Sequence, residues 1–268
     1  DYTKYRPTDY FPNDKLEDSK FVEKTNVIFE SAKMAAIGGE SILSNMGTMV
    51  QAIGDNMKLS DDEYSKSLEQ GWGKDGLDRM QKVSSTISDW GKNFSTYWDE
   101  QQKSGWEVLN KKVWDGAYLE NPSFTRTVAI GVGAIPSLAS AYVVGVASGP
   151  MSAYVFLSGL SAASTYKKAD IAGKAQSEKN ILAGTVGVGT GVLERYIGPL
   201  NNFLKGGVGK KVLDVAIGGA KESMTEGSQQ VLQNTVEKYG IDNTIAITDG
   251  VVEAMIAGGL SGGVMGAV

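Results

Sequence analysis

The chain has 268 residues, with 26 Lys+Arg against 31 Asp+Glu, a net charge of −5, and neither His nor Cys. That length can bury a real core in one or two domains. The charge argues against a whole-chain nucleic-acid binder. The missing His and Cys exclude a Ser-His-Asp hydrolase, a cysteine nucleophile, a Cys/His zinc site, His-held haem and any disulfide framework.

The composition changes near residue 126. Residues 1–126 carry 16 Lys+Arg and 21 Asp+Glu, net 16 − 21 = −5, while residues 127–268 carry 10 of each. All five Trp lie in the first part, and 24 of the 34 Gly in the second. Three regions are expected: an extended docking arm over 1–20, an acidic amphipathic helical region over 21–121, and a Gly/Ala-rich apolar helical region over 122–268. The chain begins at Asp1 and ends in an apolar tail, which fits a processed product or a segment of something longer.

The arm would dock through Tyr2, Tyr5, Tyr10 and Phe11. From Phe21 to Ile53 the positions Ile28, Ala32, Ala35, Ile42, Met46, Met49 and Ile53 fall at 3/4 spacing, one face of a helix. Ser60 and Glu63 form a capping box for a short helix that Gly71 to Gly73 end. A third helix is expected over about Gly76–Tyr118. Its Trp90, Trp98, Trp106 and Trp114 recur every eight residues. At about 100° per residue that spacing winds them around the helix, which suits contacts to several neighbours or to other subunits. Asn121 and Pro122 read as the N-cap and first position of the next helix.

Between Arg126 and Lys167 lie 40 residues without a charge. Gly149-Pro150 reads as a stop followed by a start, giving a hairpin of helices at about 123–148 and 150–168. Each approaches the length of roughly 20 residues that spans a bilayer. The stretch is rich in Gly, Ala, Ser and Val, a composition suited to close helix approach. Small residues recur four apart at Gly145 and Gly149, at Ala183, Gly187 and Gly191, and at Gly258, Gly262 and Gly266. Buried core helices are the main expectation, with membrane contact as a conditional second state.

Further helices are expected at Asp170–Tyr196 and Lys211–Tyr239, then an apolar segment over Thr248–Val268, with a flexible turn from Leu204. In the second of these, Leu213, Ile217, Ala220, Met224, Gly227 and Val231 make a heptad-like seam. The opposite face carries Lys221, Glu222, Glu226, Gln229, Gln230 and Gln233. Glu194, Glu222 and Glu226 are expected on a solvated face, with ion pairs or a lumen lining as alternatives. No strand ladder is expected. The fold class is all-α, an elongated multi-helix bundle of hairpins with a Gly/Ala-rich C-terminal half.

No catalytic, cofactor or metal-ligand set emerges. Gly206–Lys211 resembles part of a phosphate loop, but Leu204 stands where its first Gly belongs and Lys211 where Ser or Thr should bind magnesium. Gly184–Gly191 lacks the preceding strand of a dinucleotide site. Asp61, Asp62 and Glu63 suit the first turn of a capped helix better than a glycosidase pair. Glu40-Ser41 lacks the sequence context of a lytic transglycosylase.

One succession is familiar. AGTVGVGTGVLERYIGPLNNFL (183–204), AKESMTEGSQQVLQNTV (220–236) and DGVVEAMIAGGLSGGVMG (249–266) resemble the Gly/Ala-rich helical regions of the large internal virion proteins of tailed bacteriophages, the DNA-ejection proteins. The resemblance covers about residues 125–268. It implies a non-enzymatic structural protein, held in the virion core and released into the host cell envelope at infection, where it helps form a conduit for the genome. It further implies a homo-oligomer, contacts with other phage core, portal or tail proteins, conditional membrane contact, and passing DNA bound without sequence specificity. The alternatives are a tape-measure or scaffold-like segment inside a tail tube and a secreted pore-forming effector.

Overall fold

The computed structural model describes residues 20–267 apart from 110, 115, 117, 121 and 197–210, with side chains described inside 27–260 except at 110–112, 115, 117, 121, 150 and 197–218. The docking arm over 1–19 and the Leu204 turn with its phosphate-loop-like run therefore lie outside the described residues, Lys211 being described only as helical backbone. The helices are α1 (Lys20–Met57), α2 (Asp61–Glu69), α3 (Lys74–Glu107), α4 (Lys111–Trp114), α5 (Phe124–Ser148), α6 (Pro150–Ile171), α7 (Gln176–Tyr196), α8 (Lys211–Gly240) and α9 (Val251–Ala267). Among the described residues there is no strand, so the protein is an all-α multi-helix bundle.

Local chemistry sets most of the ends. The Ser60 side chain accepts from the Glu63 amide while the Glu63 carboxylate accepts from the Ser60 amide, closing the capping box that starts α2. Ser123 caps α5, its hydroxyl accepting from the Arg126 amide at 3.1 Å. The cap is thus Ser123, not Asn121, and Pro122 precedes the helix. Gly149 turns the chain with φ +94°, a conformation that favours glycine, and Pro150 opens α6. The expected third helix is broken. α3 stops at Glu107, and Trp114 sits on the separate α4. α6 continues to Ile171, so α7 starts only at Gln176.

Helices α5 to α9 close a ring: each packs on the next, and α9 returns to α5. α1 lies against α5 and α6 from outside, and α3 lies against α1. The acidic and the apolar regions therefore share an interface. α1 and α3 run antiparallel at very short range. A Cβ added at Gly47 would stand 2.6 Å from the Ser95 amide nitrogen, and one at Gly54 would stand 2.7 Å from the Ser84 carbonyl oxygen. Only glycine permits that approach, since real Cβ atoms do not come within 3 Å.

The buried line of α1 is Glu30, Met34, Ile37, Ser44, Thr48 and Gln51. Of the expected apolar face Ile42 is buried, whereas Ile28, Met46 and Ile53 are exposed. The face predicted from spacing points outward because a seam this tight has room only for small side chains. Ser44, Thr48, Ser88 and Ser95 fill it and bond one another or nearby carboxylates. α8 is reversed in the same sense. Ala220, Met224 and Val231 of its expected seam are exposed, while Gly227 of that seam is buried against Met255 of α9. Glu222, Thr225, Asn234 and Glu237 point into the ring and are almost wholly buried. Leu213 and Ile217 belong to the residues whose side chains are not described.

Candidate functional site

Two features of the ring carry chemistry. The first is the α5–α6 hairpin. Its 40 uncharged residues pack internally through Ala141, Ala153, Tyr154 and Leu157, with Phe156 against them. The outer surface is apolar as well. Val143, Val146, Met151 and Val155 are 64%, 65%, 55% and 63% exposed around the Gly149 turn. α5 is the one helix among the described residues long and apolar enough to cross a membrane, and it runs unbroken through Pro136. The ring's exterior continues in kind on α7, where Ile181, Val188 and Val192 are exposed.

The second feature is a carboxylate cluster inside the ring. Glu222 and Glu226 lie one turn apart on α8 and so share a face. Glu194 meets them from α7, and one carboxylate oxygen from each of the three lies within 4.8 Å of the other two. Glu194 and Glu222 are buried and Glu226 is half-buried, so the expected solvated face is corrected. The Gln229 amide donates to Glu194 Oε1 at 2.7 Å. Glu194 Oε2 and both oxygens of Glu222 have no hydrogen-bond partner. Burial raises all three acids well above the ordinary carboxylate range, and the neighbouring carboxylates add to the rise at Glu222 and Glu226. Glu226 is pushed up to about 8. Nothing in the local sequence pairs position 194 with 222 and 226. Only the return of α8 along α7 does so.

Elsewhere in the ring, the buried Glu237 and Asn234 are paired, whereas the hydroxyls of Thr165 and Thr190 have no partner. Glu237 accepts from Lys168 at 2.7 Å and from Gln233 at 2.8 Å. Asn234 donates to the carbonyls of Ile247 and Asp249. Arg126, buried at the head of α5, stacks on Trp114 and Tyr118 and lies 3.7 Å from Glu253 of α9.

The small residues singled out in the sequence are placed unequally. Ala183 and Gly187 are buried on α7, where Gly187 meets Ala162 and the Ser158 carbonyl of α6, each at 3.0 Å from an added Cβ. Gly191 lies against the Ser158 hydroxyl. Gly145 is buried in α5. Gly149 has nothing within 4 Å of an added Cβ, so it serves the turn and not a helix contact. Gly258 presses α9 onto α8, its added Cβ standing 2.6 Å from the Glu222 carbonyl oxygen. Gly262 and Gly266 are helical, but their surroundings lie outside the described residues.

The tryptophans divide too. Trp90 and Trp106 are about half exposed, whereas Trp98 and Trp114 are partly buried. Trp90 stacks on Phe94, and Trp106 meets Trp114 edge to face at 5.8 Å. The Trp114 indole donates to Glu30 at 2.8 Å. Trp114 thus ties α4 to α1, and Trp90 and Trp106 are the members of the set most open to another subunit. No family model, curated protein or solved structure matches this chain.

Proposed function

We propose that this chain is a non-enzymatic structural protein of a phage particle, part of the internal core or ejection machinery, which helps carry the genome across the host envelope. The observation that supports this reading is the apolar exterior of the ring, set beside a group of polar side chains that α7 and α8 bury. Glu194, Glu222, Thr225, Asn234 and Glu237 are inside, while Val143, Val146, Val155, Val188 and Met224 are outside. Water-soluble proteins seldom expose so many large apolar side chains on neighbouring helices without a partner for them.

The uncharged part of the α5–α6 hairpin, Thr127–Tyr166, is the segment that enters the bilayer. The charged ends of the hairpin and the helices α7 and α8, with their buried acids, stay with the rest of the bundle outside it. Its hydrophobicity is moderate, which keeps the chain compatible with water in the particle and lets it repack in lipid. The exposed Trp90 and Trp106 supply contacts to further copies or to other core, portal or tail proteins. The genome passes without sequence-specific contacts.

The test is flotation and dye release with the purified chain and anionic liposomes, beside a variant carrying Val143→Lys and Val146→Lys. The reading expects binding and leakage by the parent chain and loss of both in the variant. A parent chain that leaves vesicles intact and does not float with them overturns it.

A further inference from the structure

We propose that Glu194, Glu222 and Glu226 form a binding site for a divalent cation of the hard, oxygen-seeking class. This site is independent of the membrane reading above.

Two observations carry it. The first is convergence: three carboxylates from two helices place ligand oxygens within 4.8 Å of one another. A Ca2+-sized ion has metal–oxygen distances of about 2.3–2.6 Å, so it bridges opposite ligands about 4.6–5.2 Å apart. Smaller Mg2+ or Mn2+ would draw the same side chains slightly inward. The second is the state of the oxygens. Glu222 is fully buried and both its carboxylate oxygens are unpartnered; Glu194 is 1% exposed and its Oε2 is unpartnered. The other two almost wholly buried acids among the described residues are supplied with donors, Glu30 by Lys33 and Trp114 and Glu237 by Lys168 and Gln233. Uncompensated oxygens aimed at one another, out of water, are what a cation would satisfy.

The surroundings fit an ion site. The Gln229 amide holds one oxygen of Glu194, which leaves the other for the cluster. Such an outer partner fixes the orientation of a ligand. Gly258 lets α9 close over the α8 backbone at Glu222. Glu226 is only half-buried and gives an ion a way in. Donor type sets the class. Three carboxylates without nitrogen or sulfur suit Ca2+, Mg2+ or Mn2+. Two charges on the ion offset most of the three on the acids and join α7 to α8.

The test uses the purified full chain, stripped with EDTA and dialysed. Titration calorimetry and thermal melts are run with CaCl2, MgCl2 and MnCl2 separately. The expected result is one ion per chain for at least one of the three metals, with a raised Tm. Glu222→Gln and Glu226→Gln should lose binding yet remain helical by circular dichroism, since each removes a buried acid and keeps its shape. Gln229→Leu should bind about tenfold more weakly through the loosened Glu194. Absence of heat and of any Tm shift with all three metals up to about 10 mM overturns the proposal, because that exceeds the weakest ordinary protein Ca2+ sites. Binding that both Gln variants retain overturns it as well. Should a variant fail to fold, electron spin resonance of Mn2+ with the parent chain decides. A held ion supports the site, and a spectrum of free ion alone, together with no heat or Tm shift from CaCl2 or MgCl2, overturns it.

Discussion

In the α1–α3 seam two partly buried carboxylates, Asp55 and Asp99, are surrounded by donors. Asp99 accepts from Ser44 at 2.6 Å and pairs with Lys167, and Asp55 accepts from Ser88, Tyr166 and Lys58 at 2.6, 2.8 and 3.0 Å. Between α7 and α8 the buried carboxylates face one another, and most of their oxygens go without partners. Both interfaces bury polar groups between closely spaced helices. Around Asp55 and Asp99 the first is complete as it stands, and the second is complete only with added protons or an added cation. The first reads as fixed scaffold, the second as the part whose state responds to its medium.

The largest expected effect lies in the scaffold. Gly54→Leu would drive a side chain into the Ser84–Ser88 backbone, which has no flexible neighbour to yield. It should cost about 3 kcal/mol or more, read by urea denaturation. The same measurement on Asp55→Ala should show a loss of about 2–3 kcal/mol, because Ser88, Tyr166 and Lys58 would lose a charged acceptor.

The two sites should respond to pH in opposite directions. Burial opposes the charge of Asp55, but the hydrogen bonds from Ser88, Tyr166 and Lys58 outweigh it and hold the group below its ordinary value of 3.8. Its contribution is complete above that pH and is lost as pH falls through the lower folded value. Glu226 moves from 4.5 to about 8 on folding. In chelator, its folded form keeps a proton that the unfolded chain gives up, so stability falls as pH rises from about 4.5 to about 8. Melts in EDTA from pH 5 to pH 8 should show that decline, and Glu226→Gln should make it shallower, with Glu194 and Glu222, raised by the same burial, keeping their share. The smallest effect is a control. Gly184 has nothing within 4 Å of an added Cβ, so Gly184→Ala should stabilise α7 by about 0.5–1 kcal/mol.

Much of the fold was legible in the sequence. The capping box at Ser60, the uncharged hairpin and the Gly149-Pro150 turn are local signals, and the structure has them where the sequence puts them. Helix faces were less legible. Spacing of large apolar residues assigns α1 and α8 the wrong inner faces, because the real contacts use Ser, Thr, Gly and Glu. Small residues approach more closely than large ones, and proximity at the seam outweighs side-chain hydrophobicity. The small-residue signal was read in the C-terminal half, but Gly47, Gly54 and Gly91 use it as tightly in α1 and α3. The end of α3 was missed because the Trp period continues past it to Trp114. Glu194 was visible as an acid in an apolar run. Its meeting with Glu222 and Glu226 depends on the course of α7 and α8, which no local pattern encodes.

The measurement closest to the central claim uses the chain's lack of cysteine. Val146→Cys on the hairpin and Thr86→Cys on α3 can each carry a single environment-sensitive fluorophore, both at exposed positions. Each labelled chain is mixed with anionic vesicles containing brominated lipid. The account predicts a blue shift and quenching of the label at 146 and an unchanged, water-exposed label at 86. A label at 146 that stays in water when vesicles are added contradicts it.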